Sequence, residues 1–370
     1  MQKLNDPSAV IHYHDATKHH FHRFARSLGY LDWASQPKPF RRFEGAPVVR
    51  LPPDPAAGAT PPPTIQRTRE TYDRLFASSH ESPQPLTRAT LGEFLRYSLG
   101  LSAWKAFRDT RWSLRVNPSS GNLHPTEAYV ICSAIDGLAA SPAVWHYAAD
   151  RHVLERRCSF DVAPRGPGEA QPLVVALTSI HWREAWKYGE RAFRYCQHDI
   201  GHAIAALGIA AALHGWRIEL AADWPRADIA ALVGCDRDED FFEAEREDAG
   251  CLLLVDTAAN GEAGGFEAIE RWTRSARSAV SGGVWTGRAS QLSEDHVQWT
   301  IIDEVADATG KRQDTEHVRH SDHQPRASGR LLSSSSRLLN SPIDRHIDAR
   351  TLILQRRSAV AFDGISRCSR

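Results

Sequence analysis

Short apolar runs alternate along the chain with longer segments whose apolar residues recur at helical spacing. The run at 172–180 is apolar throughout and therefore predicts a strand buried on both faces. A stripe of apolar residues over 190–214 predicts a long helix, which Gly215 ends. Further strands are predicted at 127–132, 144–149 and 250–256. Helices and strands in this mixed order predict an α+β protein and not a regular βαβ fold.

An earlier segment carries the signals of a second helix. Thr90 and Glu93 have the spacing of a capping box, and Gly100 provides a stop. Leu91, Phe94, Leu95 and Leu99 form its apolar stripe. We therefore expect a helix that begins at about residue 90, followed by the short element LSAWKAF.

Composition divides the chain into five parts. Residues 85–258 are predicted to form the folded body. Before it come an N-terminal segment over 1–50 and a proline-rich spacer with its lead-in over 51–84. After it, a charged and Ser-rich linker is predicted over 259–349, partly disordered, and a further unit begins at 350–370.

Charge and cysteine usage narrow the class of protein. Lys plus Arg equals Asp plus Glu at 45 each, which leaves no electrostatic footprint for nucleic acid or an anionic membrane. No apolar run approaches the roughly 20 residues of a membrane helix, and the N-terminus shows no secretory signal. Six cysteines are scattered without a C-x-x-C motif, which favours reduced thiols. We expect a soluble cytoplasmic protein.

The most distinctive motif is the loop within RVNPSSGNLHPTEAYVI, residues 115–131. Ser119, Ser120 and Gly121 offer consecutive backbone N–H groups and two hydroxyls with little bulk, and Asn122 adds an amide. Such a loop can lie against a planar ring or hold an anion. The alternative is an ordinary surface turn.

Two further motifs carry candidate chemistry. Lys187 and Tyr188 stand immediately before the long helix, where they can share a proton beside a ligand; the alternative is a solvated helix start. Arg356, Arg357 and Ser358 can form a phosphate clamp, or simply a solvent-facing helix end.

Other classes of site find little support. The sequence contains no G-x-G-x-x-G after a strand and no G-x-x-x-x-G-K-[ST], which argues against a Rossmann or P-loop nucleotide site. No G-x-S-x-G marks a serine nucleophile. The five histidines between residues 12 and 22 lack carboxylate or thiolate partners at ligand spacing, so no metal site is predicted.

Together these stretches resemble the FMN-dependent nitroreductase-like flavoproteins, in particular the SagB-type dehydrogenases and thiazole/oxazole-forming oxidases. The resemblance covers about 85–258, in the order PLTRATLGEFLRYSLGLSAWK, RVNPSSGNLHPTEAYVI, VWHYAADRHVLERR and KYGERAFRYCQHDIGHAIAALGIAAALHGW. It implies an α+β nitroreductase-like fold, with a central, mainly antiparallel sheet flanked by helices, that forms a dimer or an intramolecular pseudo-dimer.

The resemblance also implies roles for the motif residues. Lys187 and Tyr188 match a pair implicated in proton removal in the azoline-oxidising members. RRSAVAFDG resembles the start of a second, here truncated, unit in which Arg356, Arg357 and Ser358 bind the FMN phosphate. At the N-terminus, Thr17, Lys18 and Arg23 stand where the first unit would carry its own clamp. The residues expected against the flavin are Pro118, Ser119, Ser120, Gly121 and Asn122.

The implied activity is hydride transfer between the flavin N5 and a small molecule or a peptide azoline. NAD(P)H is a candidate electron donor, and the implied partner is a second copy or a second half of the same chain. The alternative is a non-catalytic nitroreductase-like scaffold that has lost flavin binding.

Overall fold

The structure is a computed structural model that describes residues 7–52, 75, 83–163, 171–258, 265–310 and 348–357. The helices are α1 Pro7–Thr17, α2 Arg88–Ser98, α3 His181–Tyr188, α4 Ala192–Leu213, α5 Arg226–Val233, α6 Gly265–Ala279, α7 Thr300–Thr309 and α8 Ala349–Gln355. The strands are β1 Phe43–Glu44, β2 Val48–Arg50, β3 Leu101–Phe107, β4 Thr110–Arg115, β5 Thr126–Cys132, β6 Ala143–Ala148, β7 Val153–Ser159, β8 Leu173–Ser179, β9 Arg217–Leu220, β10 Asp248–Asp256, β11 Val284–Trp285 and β12 Arg288–Ala289.

Eight strands form the central sheet. Their order is β11-β7-β6-β5-β8-β10-β9, with β2 also paired to β7. Every described pair in this sheet is antiparallel. Strands β5 and β8 are buried along their whole length, as the apolar run at 172–180 predicted for β8. The predicted α+β class with a mainly antiparallel sheet is therefore confirmed.

Helices cover both faces of this sheet because its strands carry apolar side chains on both faces. On one face, α2 and α4 pack in a core that includes Phe94, Val130 and Leu207. On the other, α5 and α6 pack in a core that includes Ile131 and Trp272. Within the described ranges, no helix is both long and apolar enough to cross a lipid bilayer.

The packed body extends beyond the predicted limits of 85 and 258. Strand β2, from the predicted N-terminal segment, pairs with β7. Helix α6 falls inside the predicted linker, yet Ile269 and Trp272 are buried against the sheet because they lie one turn apart on an apolar stripe. Strands β11 and β12 and helix α7 also fall inside that linker, whereas 259–264, 311–347 and the end of the chain, 358–370, lie outside the described residues.

Helix α2 begins earlier than its sequence signals predicted. Thr87 is the N-cap: its hydroxyl accepts a hydrogen bond from the Thr90 N–H at 3.1 Å, and the Thr90 hydroxyl accepts one from the Thr87 N–H at 2.9 Å. Thr90 thus occupies the N3 position of the capping box, not the N-cap. The element LSAWKAF is β3, the first strand of a hairpin with β4.

The pairing of β5 with β8 fixes where the predicted motifs meet. Thr126 at the start of β5 pairs with Ser179 at the end of β8, and the Ile180 N–H donates to the Pro125 carbonyl at 2.8 Å. Because the strands are antiparallel, the chain entering β5 and the chain leaving β8 lie at the same end of the sheet. The loop 117–124 and helix α3 therefore become neighbours.

Buried charges join three strands of the sheet. His146 lies between Glu127 and Glu155, with ring nitrogen to carboxylate oxygen distances of 2.9 and 3.0 Å. Burial alone would lower the pKa of His146, but hydrogen bonds and charge from both carboxylates outweigh it and raise this pKa to about 9. Glu127 also pairs with Arg183. Burial acts to raise the pKa of Glu127, yet Arg183, His146 and Arg115 hold it below the usual range.

We predict that His146→Gln destabilises the fold in a pH-dependent way. Folded His146 holds its proton up to about pH 9, whereas the unfolded side chain releases it near pH 6.5. The stabilisation is therefore complete below about pH 6.5 and is lost as the pH rises to 9. The melting temperature of the variant, followed by circular dichroism, should fall furthest below wild type at pH 6 and least at pH 9. A deficit independent of pH would contradict this assignment; exposed His296→Gln is the control.

Candidate functional site

The loop and α3 make contact at Gly121. This residue has a φ of 59°, and a Cβ placed on it would lie 2.7 Å from the Tyr188 hydroxyl. Asn122 and His124 also have positive φ, at 61° and 54°. Glycine is needed at 121 both for the backbone conformation and for the approach of the tyrosine ring. Two motifs that are far apart in sequence thus form one surface.

Asp199 of α4 holds this loop in place. Its carboxylate accepts hydrogen bonds from the Ser119 hydroxyl at 2.7 Å, the Ser120 N–H at 3.0 Å and the Ser120 hydroxyl at 3.2 Å. The Ser119 oxygen in turn accepts the His124 N–H at 2.8 Å. The Asn122 amide donates to the Ser113 carbonyl at 3.0 Å. The hydroxyls and the amide that the sequence suggested for a ligand are used to fix the loop.

A flavin therefore fits this loop through its backbone surface more than through its polar side chains. Gly121 is exposed, and its neighbours are half-buried, so a planar ring can approach the chain there. The half-buried neighbours are Pro118, Ser119, Ser120 and Asn122.

Lys187 and Tyr188 lie together at the end of α3. The Lys187 ammonium is 5.4 Å from the centroid of the Tyr188 ring, and that ring packs on Tyr195 at 4.5 Å between centroids. Burial, followed by the carboxyls of Glu184 and Asp199 and by Tyr195, raises the pKa of Tyr188 to about 12. Tyr188 is consequently a neutral phenol at neutral pH that holds its proton more tightly than an exposed tyrosine does.

Glu184 and Asp199 are site residues that the motifs did not reveal. Both are buried, at 0% and 1% exposure. Burial, with Asp199 as a further cause and Lys187 opposing, raises the pKa of Glu184 to about 9. The available sequence signal for Asp199 was a carboxylate on the apolar face of the long helix, three residues after Cys196 and four before Ala203.

Arg356 lies beside the start of the loop. Its guanidinium donates to the Val116 carbonyl at 3.3 Å, next to residue 117. Arg357 is exposed and donates to the Leu354 carbonyl at 2.7 Å. Ser358, the third predicted member of the clamp, lies outside the described residues.

The N-terminal residues considered for a phosphate clamp contact groups within α1. Lys18 pairs with Asp15 at 2.6 Å, and the Thr17 hydroxyl donates to the Tyr13 carbonyl at 2.7 Å. Arg23 donates to the Asp15 carbonyl at 2.5 Å. Among the residues that the structure describes, no three His, Cys, Asp or Glu side chains are grouped as metal ligands.

A cleft of about 340 Å³ opens on another side of α3. Its walls come from α3, α7, the start of α5 and the chain around β10, and include His181, Trp182, Arg226, Asp248 and Trp299. None of the site residues predicted from the sequence lines it. The cleft is thus separate from the Gly121–Tyr188 contact.

The chain was compared with known families, curated proteins and solved structures. No family model matches the chain. A curated protein of Methanocaldococcus jannaschii, named provisionally as a nitroreductase, is 25% identical over 126 residues, which are 32% of this chain and 59% of that protein. The chain is similar to nitroreductases. It spans about three-fifths of the length of the curated protein it matches.

Three solved structures are also similar. One from Anabaena variabilis, provisionally titled a nitroreductase, is 22% identical, covers 67% of this chain and 46% of its own, and has a TM-score of 0.48. Another from Ralstonia eutropha, titled likewise, is 18% identical over 59% of this chain and 95% of its own, with a TM-score of 0.38. The third is the microcin synthetase McbBCD complex of E. coli with truncated pro-MccB17 bound. It is 15% identical over 54% of this chain and 76% of its own, with a TM-score of 0.35.

We predict that Gly121→Ala and Tyr188→Phe are coupled. Alanine at 121 has two costs. The left-handed φ costs on the order of 1 kcal/mol, and the added Cβ clashes with the Tyr188 hydroxyl. Removing that hydroxyl should relieve part of the second cost. In urea unfolding, Gly121→Ala should therefore destabilise wild type more than it destabilises Tyr188→Phe.

The control is Gly201→Ala. Gly201 lies in α4 with nothing within 4 Å of an added Cβ, so alanine should be neutral or stabilising there. Equal destabilisation by Gly121→Ala in both backgrounds would show that the Tyr188 hydroxyl does not occupy the space above Gly121.

Proposed function

We propose that this chain is an FMN-dependent oxidoreductase of the nitroreductase kind, with its reactive site at the contact between the loop 118–122 and the Lys187–Tyr188 pair. The observation that carries the proposal is the close approach of Tyr188 to Gly121. A Cβ built on Gly121 would lie only 2.7 Å from the Tyr188 hydroxyl oxygen. Each motif was assigned separately from sequence, and the fold brings them together. Similarity to nitroreductases over 126 residues supports the same reading.

The flavin, when bound, supplies hydride chemistry at N5, and the protein supplies position and charge. The exposed backbone at Gly121 would face the ring. Arg356, whose guanidinium reaches the Val116 carbonyl, would offer positive charge to the phosphate together with Arg357. Arginine suits this task because its planar donors match phosphate oxygens and its charge persists at all physiological pH values.

Tyr188 would act as the acid and Lys187 would support it. The pKa of Tyr188 is raised to about 12, so its phenol stays protonated at neutral pH and would give up this proton only to a strongly basic site, such as the anion that forms on an acceptor as it is reduced. In the opposite direction, proton removal from a substrate would need the phenolate, which the nearby Lys187 ammonium stabilises. Packing on Tyr195 keeps the ring in place for either role.

We propose two substrate classes for this site. One is a small acceptor, such as a nitro compound or a quinone, reduced at the expense of NAD(P)H. The other is a peptide azoline that the flavin oxidises. We further propose that the working form is a cytoplasmic homodimer, or a pseudo-dimer in a longer chain whose second unit includes 350–370.

A second candidate is a non-catalytic scaffold of the same fold. It is favoured by the hydrogen bonds of the loop: Ser119 and Ser120 bind Asp199, and Asn122 binds the Ser113 carbonyl, so these side chains have less capacity left for a flavin. Such a protein would keep the packed body and bind a partner without a cofactor.

We predict that Lys187→Ala and Tyr188→Phe lower turnover while FMN stays bound. Removing a positioned acid typically costs about 10²- to 10⁴-fold in rate. Turnover is measured with NADH or NADPH and a nitroaromatic or quinone acceptor, and separately as oxidation of an azoline peptide. FMN content is measured in each variant by its visible absorption.

Tyr195→Phe is the matched control, because it alters the stacked neighbour without removing the proposed acid. Wild-type turnover in FMN-loaded Lys187→Ala and Tyr188→Phe would exclude their proton role. A wild-type chain that takes up no FMN would favour the scaffold instead.

A further inference from the structure

Two buried carboxyl groups lie behind Tyr188, between α3 and α4. Glu184 is fully buried on α3, three residues before Lys187 and four before Tyr188, so the three side chains share one face of the helix. Asp199 is 1% exposed on α4, the helix that packs against α3. Two buried carboxylates this close together repel each other, so ionising both is costly. One of the two carboxyl groups therefore retains its proton.

Hydrogen bonding decides which carboxyl retains it. Asp199 accepts bonds from the Ser119 hydroxyl and from the N–H and hydroxyl of Ser120, and such bonds stabilise a carboxylate. Neither carboxyl oxygen of Glu184 has a hydrogen-bond partner among the described residues. The negative charge therefore belongs to Asp199 and the proton to Glu184. Burial and the charge of Asp199, against Lys187, accordingly raise the pKa of Glu184 to about 9.

We propose that Glu184 is a neutral carboxylic acid in the folded protein and the positioning residue that controls ionisation of Tyr188. This inference rests on the proposed function, since it assigns the proton chemistry of that same site. Ionised Glu184 would add a second buried negative charge beside the phenol and oppose formation of the phenolate.

Among the described residues, Lys187 on the same helix is the cation that acts on Glu184. The other charged groups nearby have partners of their own. On the adjoining 3-10 turn, Glu190 pairs with Arg26 at 3.5 Å, and Arg191 donates to Tyr195. Asp248 of β10 is paired with Arg226. The remaining titratable neighbours on α4 are Tyr195, Cys196 and His202. Cys196 is buried, and burial together with both carboxyl groups raises the pKa of its thiol. His202 lies 3.7 Å from the Asp199 carboxylate.

The first test is the stability of Glu184→Gln across pH. Folded Glu184 holds a proton to about pH 9, and the unfolded residue loses it near 4.5, so the folded state binds more protons between these values. Stability of the wild type therefore falls with rising pH in that window. Glutamine cannot ionise, so the melting temperature of the variant relative to wild type should rise steadily from pH 5 to 9, by roughly ten degrees in total.

Glu190→Gln is the matched control: it removes a buried glutamate six residues further along the chain that has Arg26 as its partner, and it should show no such gain. A pH-independent difference between Glu184→Gln and wild type would overturn the neutral state of Glu184. Neither measurement requires flavin, so the result stands apart from whether the chain binds FMN.

The second test reads the positioning role directly. Ionisation of Tyr188 is measured as the part of the tyrosinate absorbance that is lost in Tyr188→Phe. Circular dichroism shows over which pH range the protein remains folded. In the Glu184→Gln background, this absorbance should develop at a pH lower by roughly one unit, because Glu184, which ionises near pH 9, then no longer adds its negative charge beside the phenol. An unchanged titration would overturn the positioning role, even where the stability result holds.

Discussion

The antiparallel register of β5 and β8 is the constraint on which the candidate site depends. Thr126 opens β5 opposite Ser179, the last residue of β8, so the chain before one strand and the chain after the other leave the sheet together. The loop 117–124 and α3 are thereby brought side by side. Shifting the register by one residue would move every side chain of one strand to the other face of the sheet relative to its partner and would displace the loop from α3.

Helix α4 completes the site because the same sheet is covered on both faces. Its apolar stripe packs on one face of the sheet, and this places Asp199 under the loop, where it accepts hydrogen bonds from Ser119 and Ser120. The buried carboxylate costs desolvation free energy, which three hydrogen bonds offset. The loop is consequently held by α4, and Tyr188 is held above Gly121 by α3.

The sequence predicted the elements whose pattern is local. The apolar runs that became β5, β8 and β10 and the stripe that became α4 are visible without tertiary information, since burial on one or both faces leaves its period in the chain. Helix α6 was missed as part of the core because its stripe is short and lies among charged residues. The start of α2 was misplaced because Thr87 and Thr90 can each act as a cap.

The chemistry of the site was only half visible for a similar reason. Gly121, Lys187 and Tyr188 could be singled out by residue type. The use of Ser119 and Ser120 could not, because their partner Asp199 is about 80 residues away in sequence. The neutral state proposed for Glu184 likewise depends on its surroundings. These are the charge of Asp199 and the absence of a hydrogen-bond donor to Glu184 among the described residues, and neither can be read from residue spacing in the sequence.

The most direct test of the flavin site is the visible absorption spectrum of the purified 370-residue chain, before and after addition of FMN, with the released cofactor identified by mass. Our account predicts a yellow protein that binds FMN in a 1:1 ratio to the chain. A folded protein that stays colourless after FMN is added would contradict it and leave the scaffold as the better description.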